Sequence, residues 1–329
     1  MRRALLLLPL LLLLPLMAFW ALGIGSAGIG PGDVLSALIH GGDDSRETLL
    51  ITTVRLPRVL AALAVGAGLA GAGAILQMLT RNPLADPGLL GINAGAALAV
   101  VLLVTFVPTA SRGAMVPVAF LGAGFAALAV HALGSAGRGG ASPLRLTLAG
   151  VVIASFLASA TAALLIFDAA TLDAVRQWTA GSLAGQSMAG LAAPLPWLGL
   201  AMGAALILRP RLAVIGLGPE TAAGLGVQVA LWWGIGIALA ALMAAAAVAM
   251  AGPVGFVGLI VPQAVRLVAG ARFSRLLPLS MLAGAAAVLL ADTLPRAVLG
   301  RDVPVGIALA LIGGPVFLAL ARGRIGRLA

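Results

Sequence analysis

The chain has no cysteine and, read from end to end, no lysine, so all 20 of its basic residues are arginine. The first absence removes disulfides, thiolate metal sites and a cysteine nucleophile. The second is sharper. A P-loop holds nucleotide phosphates through a lysine, so this chain cannot hydrolyse ATP by that route, and any ATP-driven step belongs to a partner. His40 and His131 are the only histidines and stand too far apart for a metal pair. No Ser–His arrangement suggests hydrolysis within a membrane. No cofactor is expected in the chain itself. Charge of any kind is scarce, at 9% of 329 residues.

What is abundant is apolar. A composition 62% hydrophobic with a mean hydropathy of +1.16 describes an all-α polytopic membrane protein rather than soluble domains. A net charge of +10 would ordinarily raise nucleic acid as a partner. Here the arginines lie between apolar runs, with no soluble basic domain to hold them, so membrane topology accounts for them and no nucleic-acid partner is expected.

Ten apolar segments of near-membrane length follow one another. They run from 4 to about 23, then roughly 58–79, 91–108, 114–134, 146–167, 191–208, 229–250, 254–269, 276–294 and 304–321. Several fall short of the usual span of about 20 residues, which predicts tilted or incomplete crossings. The first follows Arg2 and Arg3 as a signal peptide would. Its apolar run exceeds the usual h-region of about 7–15 residues and no A-x-A site follows, so residues 1–23 read as a retained span. Ten spans put both termini on one side. With the termini in the cytoplasm, the inner side holds thirteen arginines against Asp86 and Glu220, and the outer side holds seven against eight acids. That asymmetry is the positive-inside pattern. The expectation is one multi-pass transmembrane domain over 1–329, with no acid in mid-span of the kind that proton or sodium coupling needs.

Several stretches carry more chemistry than a span requires. Arg81 to Pro87 places an Arg, an Asn, an Asp and two prolines in an otherwise apolar region. Pro83 and Pro87 remove backbone donors and push Asn82 and Asp86 toward extended geometry, while Gly88 and Gly91 permit a tight re-entry. The stretch is either a plain turn with a capping Asp or a loop lining the inner end of a path. Arg55 and Arg58 stand on the outer side just before a span, against the orientation rule. They either snorkel to lipid phosphate or receive acidic groups of a partner. Gly66, Gly68, Gly71 and Gly73 behind them allow close helix approach. Residues 212–228 hold a short helix opened by Pro219 and Glu220, with the acid where the helix dipole favours it. It is either an interfacial connector or a knob for a groove on another protein. Pro253, Pro262, Pro278, Pro304 and Pro315 predict short or kinked helices. Gln263 is a lone polar group expected to bond within the bundle, and Asp292 and Arg296 are spaced to pair. The run "GRGGASPL" at 137–144 reads as a loop.

The ordered set "RLPR", "RNPLADPGLLGINAGAA", "GPETAAGLGV" and "GPVGFVGLIVPQAVRL" through "LLADTLPR" to "DVPVGIALALIGGPVF" closely resembles the permease family of type II ABC importers for ferric siderophores, haem and cobalamin. The resemblance runs from about residue 47 to the C-terminus. It implies a ten-span subunit of the bacterial inner membrane that pairs with a second permease around a central path, as a homodimer first, with a paralogous second subunit open. Two cytoplasmic ATPases bind the ATP and drive it, and a periplasmic binding protein delivers the substrate. By position, Arg55, Arg58 and Arg296 would receive acidic residues of the binding protein. Gly218, Pro219, Glu220, Thr221, Ala222, Ala223, Gly224, Leu225 and Gly226 would form the coupling helix seated on the ATPase. Asn82, Pro83 and Leu84 match inner-gate positions, and Arg176, Gln177 and Trp178 match a segment near the outer mouth. Two departures stand out. Gln263 occupies a position where members often carry His, which loses a titratable group. Pro143 and Leu144 stand where a cobalamin-type member has small hydroxyl residues, predicting a drier gate. The cargo implied is a ferric siderophore first, with haem or cobalamin open. A self-sufficient secondary transporter is the alternative from another class, and an intramembrane enzyme a third.

Overall fold

The computed structural model describes residues 7–25, 28–40, 45–136, 143–167 and 178–325. Arg2, Arg3, Arg138, Arg176, Gln177, Arg327 and most of the 137–144 loop lie outside them. Among the described residues the chain is helical without strands. Six helices are long and apolar enough to cross a membrane, and four shorter apolar helices accompany them. The order is α1 (Leu7–Gly23), α2 (Pro31–His40), α3 (Arg46–Thr80), α4 (Ile92–Phe106), α5 (Arg112–Ser135), α6 (Pro143–Phe167), α7 (Pro194–Ile215), α8 (Pro219–Gly224), α9 (Val229–Ala251), α10 (Val257–Ala269), α11 (Phe273–Leu299) and α12 (Val305–Ile325).

The span expected to begin at residue 58 begins earlier. Pro57 has no N–H to donate and its ring crowds the preceding turn, which would ordinarily break a helix there. Instead Leu50–Arg55 widens into a π-helical turn, in which the Leu56 amide reaches back to the Ile51 carbonyl. Such a bulge absorbs the disturbance without ending the rod. Thr52 and Thr53 donate their hydroxyls to the carbonyls of Thr48 and Leu49 at 2.8 and 2.6 Å, supporting the same turn. The 35-residue α3 that results carries "RLPR" inside it rather than ahead of it. The short α2, unforeseen, buries only Val34 and Ala37.

α3 is the axis of the fold: 83% of its most apolar window is buried, against 17% for α6. It packs on α11, α9, α10 and α7. Small residues permit this. A Cβ on Gly66 would overlap the carbonyl oxygen of Gly284 in α11, and one on Gly73 would overlap that of Gly258 in α10. Backbones in such contact gain dispersion along their whole length, the main attraction between helices where lipid is as apolar as the side chains. The anticipated role of the α3 glycines is met. Exposed apolar side chains concentrate on the outer helices, such as Phe156 and Ile166 on α6 and Ile207 on α7, as a lipid-facing surface requires.

Candidate functional site

The chemistry-bearing residues collect at two opposite ends of α3. At its first end the π-helical turn sets Arg55 and Arg58 three residues apart on one face, opposite the last turns of α11. Arg58 grips Asp292 in a fork, with Nε 2.9 Å from Oδ2 and Nη2 2.9 Å from Oδ1. Its remaining nitrogen, Nη1, lies 2.8 Å from Asp302. Arg296 meets the same Asp292 at 2.8 Å one helical turn on, the i,i+4 pair anticipated from spacing. Arg55 donates to the Leu22 carbonyl at 2.7 Å, and Arg296 to that of Ile24 at 3.3 Å, so the end of α1 is sewn to the cluster. A cavity of about 190 Å³ opens here, lined by Arg55, Arg58, Arg296, Arg301 and Asp302 among others.

Two expectations change at this end. Arg55 and Arg58 are only 7% and 8% exposed, so these side chains neither snorkel to lipid nor stand out as free hooks. A buried guanidinium needs a partner to offset lost hydration, and Asp292 supplies it for Arg58. Asp292, placed near an outer helix end by sequence, is 1% exposed inside α11. An acid therefore does sit within a candidate span, neutralised by two arginines.

At the other end, α3 stops at Arg81, whose left-handed backbone (φ 54°) turns the chain into the loop 82–91. Asn82 Oδ1 accepts from the Leu84 amide at 2.9 Å and Asp86 Oδ1 from the Gly88 amide at 2.8 Å, two Asx turns that fix the loop locally. The Asp86 carboxyl is largely enclosed although part of the residue stays exposed, and that burial raises its pKa above the usual carboxylate value, partly offset by the Gly88 bond. Leu84 points outward at 49% exposure. The loop is held to the bundle by an amide pair. Gln263 in α10 donates to Gln77 Oε1 and to the Pro83 carbonyl, both at 2.8 Å. Gln77 in turn donates to the carbonyls of Gly258 and Leu259 at 3.1 Å. Gln263 thus bonds inside the bundle as expected. Gln77 was missed, although a lone Gln in a glycine- and alanine-rich helix is the same kind of signal.

Beside this loop stands α8. Gly218 opens it at φ 112°, a conformation closed to other residues, and its Cα faces the Arg81 guanidinium. The helix closes on Gly226 (φ 75°), where the Val227 amide bonds the Ala222 carbonyl and the Gly226 amide that of Ala223, a Schellman motif. Gly218 and Ala222 are buried, while Pro219, Glu220, Thr221, Ala223, Gly224, Leu225 and Gly226 are exposed. The result is a rigid knob with two anchored residues and seven presented ones.

A third feature lies on the arginine side. Trp178, with Gln186, Met250, Met115, Asp302 and Pro304 among its companions, lines a cavity of about 670 Å³. The segment from Trp178 crosses the C-terminal end of α9 and the start of α12, and is tied to the latter by the Gly306 amide on the Gly181 carbonyl at 3.0 Å. Leu144, 69% exposed, starts α6, which packs on the turn Pro87–Leu90 behind the inner loop. Pro143 begins that helix. Among the described residues no cluster of His and acids could hold a metal ion.

Residues 11–323 match the FecCD transport family. The chain is 41% identical over 305 residues to an Fe(3+)-citrate import system permease protein, YfmD of Bacillus subtilis (strain 168), covering 92% of this chain and 89% of that one. It is 39% identical over 313 residues to the ferric enterobactin transport system permease protein FepD of Escherichia coli (strain K12), covering 95% and 93%. Among solved structures, an inward-facing conformation of a metal-chelate type ABC transporter matches with a TM-score of 0.82 at 31% identity, over 97% of this chain and 99% of the other.

Proposed function

Because the chain belongs to the FecCD transport family, we propose that two copies of it enclose a path through the bacterial inner membrane for a metal chelate, a ferric siderophore in first place and haem or cobalamin as alternatives. The chain is a permease subunit of ABC-importer type, and permeases of this family leave ATP hydrolysis to a separate subunit. In this reading ten spans cross the membrane with both termini in the cytoplasm. The knob Gly218–Gly226 rests on one of two ATPases. Asn82, Pro83 and Leu84, with Pro143 and Leu144 behind them, shape the inner exit, and Trp178 borders the outer mouth. A periplasmic binding protein docks over the pocket of Arg55, Arg58 and Arg296.

The observation that carries this is the separation of the two polar sites. The arginine pocket and the exposed knob stand at opposite ends of one buried helix, with no fixed polar ligand set along it among the described residues. A conduit of that kind binds cargo weakly in either state, so its direction is set by partners that favour one state over the other. The arginines act through a pocket rather than as free hooks, since Asp292 already neutralises part of their charge. Asp292 is what an ion-coupled transporter would use, but its two oxygens are already taken up by Arg58 and Arg296. Proteoliposomes decide between the two. Uptake that requires ATP, the ATPase and the binding protein is expected, whereas gradient-driven uptake by the chain alone would refute the proposal.

A further inference from the structure

Two carboxylates serve the arginine pocket, and they differ in kind. Asp292 is 1% exposed, bonds both Arg58 and Arg296, and has no other environment to reach. Asp302 is 59% exposed and touches Arg58 through one contact at 2.8 Å. It lies on the short link between α11 and α12, after Gly300, which takes a left-handed conformation with open space around it. A buried guanidinium whose outward nitrogen lost its only anion would be left poorly solvated. Asp302 satisfies that nitrogen from the solvent side. Among the described residues it is also the one acid that lines both cavities at this end, the 190 Å³ arginine pocket and the 670 Å³ space beside Trp178.

Resting on the reading of this pocket as the dock for a substrate-binding protein, we infer that Asp302 is an internal stand-in for the partner's carboxylate. It occupies Arg58 in the undocked permease and is displaced when an acidic side chain of the binding protein enters. The exchange is close to neutral for Arg58, because one carboxylate replaces another, and the released Asp302 keeps the hydration it already largely has. The displacement alters the wall shared by the two cavities. Four residues on, the Gly306 amide holds the Trp178–Gln186 segment through Gly181, so docking at the arginines is passed to the space where cargo is released. The occupant is a protein carboxylate rather than a small anion, since Asp302 already fills the place of a single small ligand and a competitor needs further contacts to prevail.

The test uses the complete transporter in nanodiscs and its cognate substrate-binding protein. Asp302→Ala and Asp302→Asn remove the competitor, and docking should tighten about 1.5- to 5-fold, the range set by a partly exposed charge pair. Unchanged or weaker docking by both overturns the inference, because a purely structural Asp302 would weaken docking when removed. Arg58→Glu is run beside them. If it leaves docking intact, the pocket reading itself fails. If it weakens docking while the Asp302 variants do not strengthen it, only the stand-in role fails. Hydrogen exchange adds a second readout. Amides 300–306 should exchange faster on docking in the unaltered protein and be fast already in undocked Asp302→Ala, and no change in either would also overturn the idea.

Discussion

Replacing Asp292 with Asn is the substitution for which the structure sets the clearest magnitude. Asp292 receives two forked bonds from Arg58 at 2.9 Å and one from Arg296 at 2.8 Å, at 1% exposure. Asparagine keeps the shape but removes the charge and turns one acceptor into a donor facing a guanidinium. Breaking a buried pair in this way costs about 3–5 kcal/mol, because the surviving charges stay desolvated. For a chain of this length each kcal/mol shifts Tm by roughly 2 °C, so a fall of about 6–10 °C is expected for the purified permease in detergent. The pair of Arg58 with Asp302 is the internal control. Asp302 is 59% exposed, so Asp302→Asn should cost about 0.2–1 kcal/mol and shift Tm by only a degree or two. A third variant separates charge from packing: Arg58→Met, Asp292→Leu and Arg296→Met together should recover most of the lost Tm, since apolar replacement of a whole buried cluster is close to neutral. If Asp292→Asn melts no lower than Asp302→Asn, the idea that Asp292 anchors this end of the bundle is wrong.

Asp86→Asn should preserve the Gly88 cap while removing a carboxylate whose pKa burial has raised. A raised folded-state pKa makes the fold most stable below the unfolded value and less stable as pH rises through the folded one. The variant should therefore gain stability at neutral pH and lose that advantage toward pH 4, as thermal melts at several pH values would show; a loss at neutral pH would contradict this. Asp86→Ala drops the cap as well and should cost about 1 kcal/mol relative to Asp86→Asn. Gly66→Val forces α3 from α11 and should cost about 3 kcal/mol or more, visible as poor recovery of folded protein, whereas Gly199→Ala, with open space around it, should be silent. Gln263→Leu leaves the Pro83 carbonyl and Gln77 Oε1 without the bonds that Gln263 gives them and should loosen the 82–87 loop, read as faster amide exchange there with the overall Tm lowered by only a few degrees. Gly218→Val, incompatible with φ 112°, should leave ATP hydrolysis of the assembled importer intact but sever it from uptake; transport at normal yield per ATP would exclude the knob as the coupling element.

Much of the architecture could be read from residues because membrane spans announce themselves by composition. The α3 glycines, the Asp292–Arg296 spacing and the Pro–Glu opening of α8 each describe a local geometry, and local geometry is what sequence spacing encodes. Contacts across more than two hundred residues are not encoded that way. Nothing near Arg58 says that Asp292 would turn inward to meet it, which is why the arginines read as partner- or lipid-facing and the acid only as the neighbour of Arg296 at a helix end. The π-helical turn escaped for a related reason: "RLPR" carries the proline that normally ends a helix, and the contacts made by the turn, with α2 and through Arg55 with the Leu22 carbonyl, come from outside its own stretch of sequence. Gln77 was overlooked because its meaning depends on Gln263 and the carbonyls of α10.

The glycine contacts along α3 have a mechanical corollary. From Arg55 to Arg81 the rod is about 39 Å long, clasped to α11 at Gly66 and to α10 at Gly73 with no side chain between to act as a bearing. Such a rod can neither slide nor spin past its neighbours, so α3, α10 and α11 must travel as a single chassis. In the proposed two-subunit arrangement, any alternation between outward and inward access is then left to the looser outer helices and the joint between the copies, with this block serving as the lever arm.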